Sequence, residues 1–254
     1  MNRLTSLFSA PRALLAASLF LSAVAHADVP RTADGKPDFS GIWQTLSGAD
    51  YGLEAHGTRK DAPPGPGLVK EPIPYQDWAL QQRDENFAHR AQRDTANQCF
   101  SLGTPRGVYY PEPFQIFQRD RDLTLLFQRG FRTRTIHTNE STHPEGPIGF
   151  WFGDSRARWE GDTLIVDVAD FTDQTWLDAA GNFHSENLQV TERWQFIDEN
   201  TLQYDATLED PSVFTKPWDV NVQLHRIREP NFQLIENACY TLDYDHYYPI
   251  PAAE

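Results

Sequence analysis

The sequence predicts a mainly β fold, an antiparallel meander of strands that closes as a barrel and carries one helix and long loops. From residue 114 onward, apolar and polar residues alternate with a period of two, the repeat of a strand with one buried face. Short turn sequences such as Gly161-Asp162 separate these segments. The predicted strands cover residues 41–45, 114–119, 123–128, 132–138, 157–160, 163–169, 187–197, 201–209, 219–227 and 232–240.

The one sizeable helix is predicted over residues 76–93, which contain no Gly or Pro and place Trp78 and Phe87 on one side. Residues 28–74 are rich in Gly and Pro, and we expect them to form an arm that wraps the barrel or stays mobile, interrupted by the first strand. With the strands that follow, they make a single domain over residues 28–254.

Residues 1–27 have the three parts of a secretory signal. Two arginines accompany an apolar stretch at residues 13–24, and the sequence A-H-A at residues 25–27 provides a small-residue cleavage site. The apolar stretch is about half of the roughly 20 residues that a membrane-crossing helix needs. We therefore expect an exported mature chain, periplasmic or secreted, that begins at residue 28.

The composition excludes several partners. Asp and Glu number 36 against 22 Lys and Arg, for a formal charge of -14, which repels nucleic acid and anionic lipid surfaces. After the signal, no segment is apolar and long enough to span a membrane. The expected partner is a small molecule, and the sequence leaves the oligomeric state open.

Cys99 and Cys239 are the two cysteines of the chain. In an oxidising compartment such cysteines commonly pair, so we expect a disulfide between them. The alternative is two separate buried thiols. Two cysteines so far apart do not form a zinc site by themselves.

Three charged residues lie on strand faces that are otherwise apolar: Glu192, Arg226 and Glu236. An unpaired ion in a dry interior costs on the order of several kcal/mol, so these residues are expected to neutralise one another, reach water or line a polar cavity. Two interpretations stay open, a satisfied interior ion cluster and the floor of a cavity that binds a ligand.

The densest run of functional side chains lies in the connections between the middle strands. Long loops on a rigid sheet concentrate binding residues, and indole rings offer stacking surfaces. His184 adds an imidazole, with Glu186 close in sequence and Glu192 on the next strand. The tryptophans can instead pack the barrel ends, and residues 184–186 can cap a strand. The predicted ligand-binding residues here are His143, Trp151, Asp154, Trp159 and Trp176.

Metal and cofactor sites are not expected. His137, Glu140 and His143 recur at three-residue intervals, and imidazole and carboxylate both bind zinc. His137 is expected at a strand end and the other two residues in the loop that follows. The three-residue spacing therefore does not place the three side chains around one point. The glycines form neither a G-x-G-x-x-G nor a Walker pattern, and no G-x-S-x-G elbow is present.

Several motifs resemble those of a widespread family of exported bacterial proteins, mostly of unassigned function. They are R-W-E-G-D-T-L-x-V-D at residues 158–167, W-L-D-x-x-G at 176–181, H-S-E at 184–186 and E-R at 192–193. The resemblance implies export and little about activity. The chain is more loosely similar to lipocalins, in which a G-x-W on the first strand packs under a late arginine. That likeness implies that Trp43 stacks with Arg226.

Two functions follow as hypotheses. The first is cofactor-free acid-base chemistry, such as elimination, isomerisation or hydrolysis, on a ring-containing substrate. In it His184 carries the proton, Glu186 or Glu192 assists, and the tryptophans of the loops form the walls. The second is a non-catalytic, lipocalin-like carrier of a small hydrophobic or aromatic ligand, since barrels host both functions.

Overall fold

The computed structural model describes residues 29–236 of the chain. The predicted signal at residues 1–27, Cys239 and the end of the predicted strand 232–240 lie outside the described residues. The disulfide between Cys99 and Cys239 therefore stays a prediction. Residues 232–236 are described and form no strand, so that part of the last predicted strand is wrong.

Within residues 29–236, nine strands close a barrel, which confirms the predicted fold class. Each strand pairs with the next one along the chain, and the last pairs with the first. The strands are β1 (Gly41–Thr45), β2 (Phe114–Gln118), β3 (Asp122–Phe127), β4 (Arg132–His137), β5 (Asp154–Glu160), β6 (Thr163–Ala169), β7 (Gln189–Asp198), β8 (Thr201–Glu209) and β9 (Trp218–Arg226).

One strand pair departs from the predicted antiparallel meander, because β4 and β5 are parallel. Parallel neighbours need a long connection, since the chain must return to the same end of the sheet, and residues 138–153 supply it. Only Ile136 and His137 of β4 pair with β5, at Ser155 and Arg156. The barrel wall consequently opens beside the first half of β4.

Large side chains fill the barrel interior. Trp43, Trp194 and Tyr204 are buried, and the rings of Trp194 and Tyr204 meet edge to face with centroids 4.7 Å apart. Leu125 and Leu224 are fully buried among them. Each large apolar side chain removed from water contributes about 1.5–3 kcal/mol, so these strands are held together by a packed core.

At one end of the barrel, Arg226 lies over Trp43, with its guanidinium carbon 4.3 Å from the ring. Its Nη1 also donates to the Ser40 carbonyl at 2.6 Å. A Cβ at Gly41 would overlap that same Nη1, and the φ of Gly41 is +138°. The G-x-W sequence is therefore explained by packing, because only glycine leaves room for the stacked arginine.

The predicted helix over 76–93 is divided in two. The helices are α1 (Asp77–Ala88), α2 (Arg90–Arg93) and α3 (Arg106–Tyr109), with a 3-10 turn at Ala49–Tyr51. His89 separates α1 from α2 because its backbone leaves helical geometry, with φ −113° and ψ 16°. Between residues 29 and 236, none of the helices combines the length and apolar composition that a membrane crossing requires.

The described part of the arm, residues 29–74, packs against the rest of the chain. Arg106 is buried and donates to Asp50 on the arm and to Asp94, each at 2.7 Å. Leu53 is fully buried. Residues 29–74 are therefore held by buried contacts with later segments of the chain.

Candidate functional site

Glu192 points into the barrel, as its place among apolar residues predicted, and it is 0% exposed. Its two oxygens accept from Arg134 Nη1 at 2.9 Å and Nη2 at 2.8 Å. Tyr204 Oη donates at 2.7 Å and Trp194 Nε1 at 3.2 Å. Arg134 Nε also donates to Ser155 Oγ at 3.0 Å. This is a satisfied interior ion cluster, in which Glu192 has no free oxygen for a ligand.

The predicted network of Glu192, Arg226 and Glu236 is wrong. Arg226 stacks at the barrel end, and Glu236 is exposed. The actual partner, Arg134, was missed although the sequence carries a signal for it. Arg134 is two residues from Ile136 on the same strand, and residues two apart share a face, so Arg134 belongs to the interior face.

His184 is 2% exposed and has both ring nitrogens engaged. A carbonyl only accepts, so Nδ1 carries the hydrogen and donates to the Ser185 carbonyl at 2.8 Å, and Nε2 accepts from Thr175 Oγ1 at 2.7 Å. Burial lowers the pKa of His184 below its usual value, which favours this neutral ring. Glu186 is exposed and is not among its partners. The predicted catalytic pair is therefore not formed, and His184 holds its loop in place.

The W-L-D-x-x-G motif also has a structural role. Asp178 is fully buried and accepts from the backbone N–H groups of Leu53 at 2.7 Å, Ala180 at 2.9 Å and Asn182 at 3.1 Å, and from Asn182 Nδ2 at 2.6 Å. Burial raises the pKa of Asp178 to about 6, against the effect of these donors. Trp176, a predicted ligand wall, is buried within the same loop. The motif therefore joins the arm to the barrel.

Trp159 lies at a barrel end and does not share a site with Trp151 or Trp176. Its ring packs against Phe39 with centroids 5.5 Å apart. Trp159 also lines a cavity of about 580 Å³, together with Lys36 and Arg119. The three predicted tryptophan walls, Trp151, Trp159 and Trp176, thus do not enclose one ligand.

The opening beside β4 forms a crevice of about 460 Å³. Its rim exposes two rings, Phe131 at 40% and Phe150 at 37%, and Trp151 adds a half-buried indole. Arg132 is exposed there, and within residues 29–236 it makes no ion pair. We call this the β4–β5 crevice, and its remaining lining residues are Ser101, Thr133, Arg134, Thr135, His137, Phe152, Gly153 and Asp154.

Asp154, which lines the crevice, contacts the imidazole of His143. Its Oδ2 lies 2.7 Å from His143 Nδ1 and accepts from Arg156 Nε at 2.6 Å, while its Oδ1 accepts from Arg156 Nη2 at 2.8 Å. Asp154 is 8% exposed. Burial alone would raise its pKa, but the hydrogen bonds from Arg156 and His143 outweigh burial and lower it. The carboxylate is therefore charged at neutral pH and orients the imidazole, as a second group does in proton-transfer pairs.

Asp170 completes a cluster with these two residues. One ligand atom each of His143, Asp154 and Asp170 lie within 4.8 Å of one another, and such atoms can also bind a metal ion. The sequence had grouped His143 with His137 and Glu140. The signal that was missed is the register of the β5–β6 hairpin, which places Asp154 opposite Ala169, next to Asp170.

The structure therefore brings together three of the predicted catalytic and ligand-binding residues, His143, Trp151 and Asp154. The rest are distributed over the barrel interior, its ends and its surface. These are Trp159, Trp176, His184, Glu186, Glu192, Arg226 and Glu236.

No known family model and no curated protein matches this chain. The resemblance to a family of exported bacterial proteins therefore stays a prediction from its motifs.

Proposed function

We propose that this protein binds a small, ring-containing molecule that bears a negative charge, and that the β4–β5 crevice holds it. The observation that carries the proposal is the combination of an aromatic rim with Arg132, a cation that makes no ion pair within residues 29–236. The chain has a formal charge of -14, so an exposed arginine that makes no ion pair within the described residues and lies beside exposed rings attracts an aromatic anion to this crevice.

The rim supports an aromatic ligand in particular. Phe131 and Phe150 are exposed by more than a third of their surface, and Trp151 stands beside them. Exposed rings gain free energy when another ring covers them, both by leaving water and by stacking. A crevice of about 460 Å³ is within the usual range for a small-molecule site.

Binding is favoured over the chemistry first expected at His184 and Glu192. Both ring nitrogens of His184 are engaged, and both oxygens of Glu192 have donors. A carrier needs a shaped, aromatic surface and an anchor for charge, and the crevice supplies these without either group.

A second candidate function, acid-base catalysis in the same crevice, is favoured by the 2.7 Å contact between His143 and Asp154. Here Asp154 orients the imidazole and His143 moves the proton. A His143→Gln variant separates the two functions, since a carrier keeps its affinity for the ligand while an enzyme loses turnover. The test for turnover is mass spectrometry of a bound candidate before and after incubation.

Calorimetric titration tests the binding proposal with benzoate, 4-hydroxycinnamate and indole-3-acetate, each compared with its neutral methyl ester. We expect at least one acid to bind more tightly than its ester, and Arg132→Gln to weaken that acid by about tenfold or more, the value of one charged hydrogen bond. Arg119→Gln removes an exposed arginine at the other cavity and should change nothing. The proposal fails if no acid binds better than its ester, or if the two variants behave alike.

We further propose that the chain is exported, with residues 1–27 as a cleaved signal, on the strength of the N-terminal pattern and the family resemblance. Mass spectrometry of the protein from a cell-envelope fraction should find an N-terminus at Asp28. A cytosolic product that keeps residues 1–27 would contradict this proposal.

A further inference from the structure

We propose that His143, Asp154 and Asp170 bind one divalent transition-metal ion of the Zn²⁺ class at the edge of the β4–β5 crevice. The three residues come from different segments: the loop after β4, the start of β5 and the residue after β6. The pairing of β5 with β6 brings two of them side by side. This proposal goes beyond ligand binding in the crevice and does not depend on it.

The spacing of the three ligand atoms fits a small ion. They lie within 4.8 Å of one another. Bonds of about 2.0–2.2 Å to zinc place two ligand atoms on one ion roughly 3–4 Å apart, depending on the angle between them. Movements on the order of 1 Å at the side-chain ends close the remaining gap.

The side chain of Asp170 gives a second, independent reason to expect a cation here. Its Oδ2 is buried and accepts no hydrogen bond within the described part of the chain. A buried carboxylate oxygen without a donor is costly, and a cation removes that cost.

The backbone holds Asp170 in this position. Its φ is +58°, in the left-handed region that residues other than glycine adopt at some cost. Its carbonyl accepts from the Phe150 N–H at 2.8 Å, which ties it to the crevice rim. Strain of this kind is found at sites where surrounding contacts fix a functional side chain.

Asp154 is prepared as a ligand. Arg156 donates to both of its oxygens, from Nε at 2.6 Å and from Nη2 at 2.8 Å, and so fixes the orientation of the carboxylate. Carboxylates that bind metals are commonly oriented by hydrogen bonds of this type. The cluster contains two carboxyl groups and one arginine, so it offers oxygen ligands of the kind that bind cations.

The ligand set selects the kind of metal. One imidazole and two carboxylates suit Zn²⁺ and its first-row neighbours, whereas Ca²⁺ takes six to eight oxygens and Mg²⁺ prefers oxygen and water. Three protein ligands leave at least one coordination position open, as in catalytic rather than structural zinc sites. Since Asp154 lines the crevice, the open position can meet a bound anion.

The test uses the full mature chain, treated with a chelator and then titrated with ZnCl₂, MnCl₂ and MgCl₂ in a calorimeter without any aromatic acid. We expect one Zn²⁺ per chain, with Mg²⁺ bound at least about tenfold more weakly. Co²⁺ in place of Zn²⁺ should give a visible absorption band that reports ligation by the protein.

Asp170→Asn and His143→Gln should each weaken Zn²⁺ by about tenfold or more, because each removes one ligand. Asp173→Asn is the matched control, an exposed carboxylate three residues further along the chain, and it should bind as the wild type does. Circular dichroism checks that each variant is folded, and because two separate variants test the site, one that fails to fold leaves the other. The inference is overturned if no stoichiometric Zn²⁺ binds, or if both ligand variants bind like the control, which would mean adventitious surface binding.

The outcome is independent of the aromatic-acid titrations, since each uses its own probe. If Zn²⁺ binds as expected, His143 is a metal ligand, and the cofactor-free proton transfer considered for His143 is excluded.

Discussion

Arg134 and Glu192 face each other inside the barrel, joined by two hydrogen bonds of 2.9 and 2.8 Å between guanidinium and carboxylate. Both side chains are at most 1% exposed, so water cannot replace either partner. Tyr204 and Trp194 complete the shell of the carboxylate. Burial, together with the nearby Glu192, raises the pKa of Tyr204 well above its usual value, so the phenol stays a donor. The cluster is a unit in which each group depends on the others.

Removal of one member of this pair should be severe. Arg134→Met is expected to lower the free energy of unfolding by about 3–5 kcal/mol, because Glu192 is left buried without a cation. The double variant Arg134→Met, Glu192→Leu should cost less than Arg134→Met alone. Urea unfolding measures all of these values.

The control for this prediction is Arg158→Met, which breaks two surface ion pairs, with Asp167 at 2.7 Å and with Glu160 at 3.1 Å. An exposed pair contributes at most about 1 kcal/mol, so that variant should be nearly as stable as the wild type. Equal losses in Arg134→Met and Arg158→Met would show that the interior pair is not a buried charge cluster in solution.

Gly41→Ala should destabilise the barrel end. The new Cβ would displace Arg226 from the ring of Trp43, a cost of about 1–3 kcal/mol for overpacking in addition to the strained φ. Gly146 also has a positive φ, +105°, but open space surrounds it. Gly146→Ala therefore introduces backbone strain without a steric overlap. Thermal unfolding of the two variants should rank Gly41→Ala as clearly the less stable, and the reverse order would contradict the stacking argument.

His184 should make stability depend on pH. Burial lowers its pKa in the folded protein, so just below the usual value of 6.5 the unfolded chain binds more protons than the folded chain. The free energy of unfolding therefore falls as the pH drops below 6.5, and this contribution is complete above it.

His184→Gln should remove that loss, since glutamine does not titrate. The measurement is the difference between wild type and variant in urea unfolding at about pH 5 and about pH 7.5. Taking this difference also removes the contribution of Asp178, which is present in both proteins. The raised pKa of Asp178 changes the free energy of unfolding with pH in the opposite direction. A difference that does not change between the two pH values would contradict a buried, neutral His184.

Asp178→Asn should loosen the contact between the arm and the barrel. The aspartate accepts four N–H groups, whereas an asparagine turns its own NH₂ toward some of them. Each buried donor left unsatisfied costs about 1–3 kcal/mol, so unfolding in urea should occur at a clearly lower concentration. The exposed Asp173→Asn should stay within about 0.5 kcal/mol of the wild type. Equal stability of the two variants would mean that Asp178 does not anchor the arm.

The strand pattern of the sequence was sufficient to predict the barrel and the interior direction of Glu192. Both rest on the period-two alternation, which is local and assigns each residue to a face. The stacking of Arg226 on Trp43 also agrees with the lipocalin likeness of the G-x-W sequence.

The failures have a common cause. Arg134 and Glu192 are 58 residues apart, and alternation does not say which strands face each other across a barrel. His184 and Glu186 are two residues apart, and the chain nevertheless directs one inward and the other to solvent. Proximity in sequence is therefore a poor guide to contact wherever the backbone turns.

The sequence by itself set the number and order of most strands, their inward and outward faces, and the acidic charge, because these depend on side chains and their immediate neighbours. Only the folded chain decided that β4 and β5 run parallel, that their wall opens into a crevice, and that His143, Asp154 and Asp170 meet at its edge. Those features arise when distant segments pack together, and which segments meet depends on barrel closure and on the path of the loops, which no local repeat encodes.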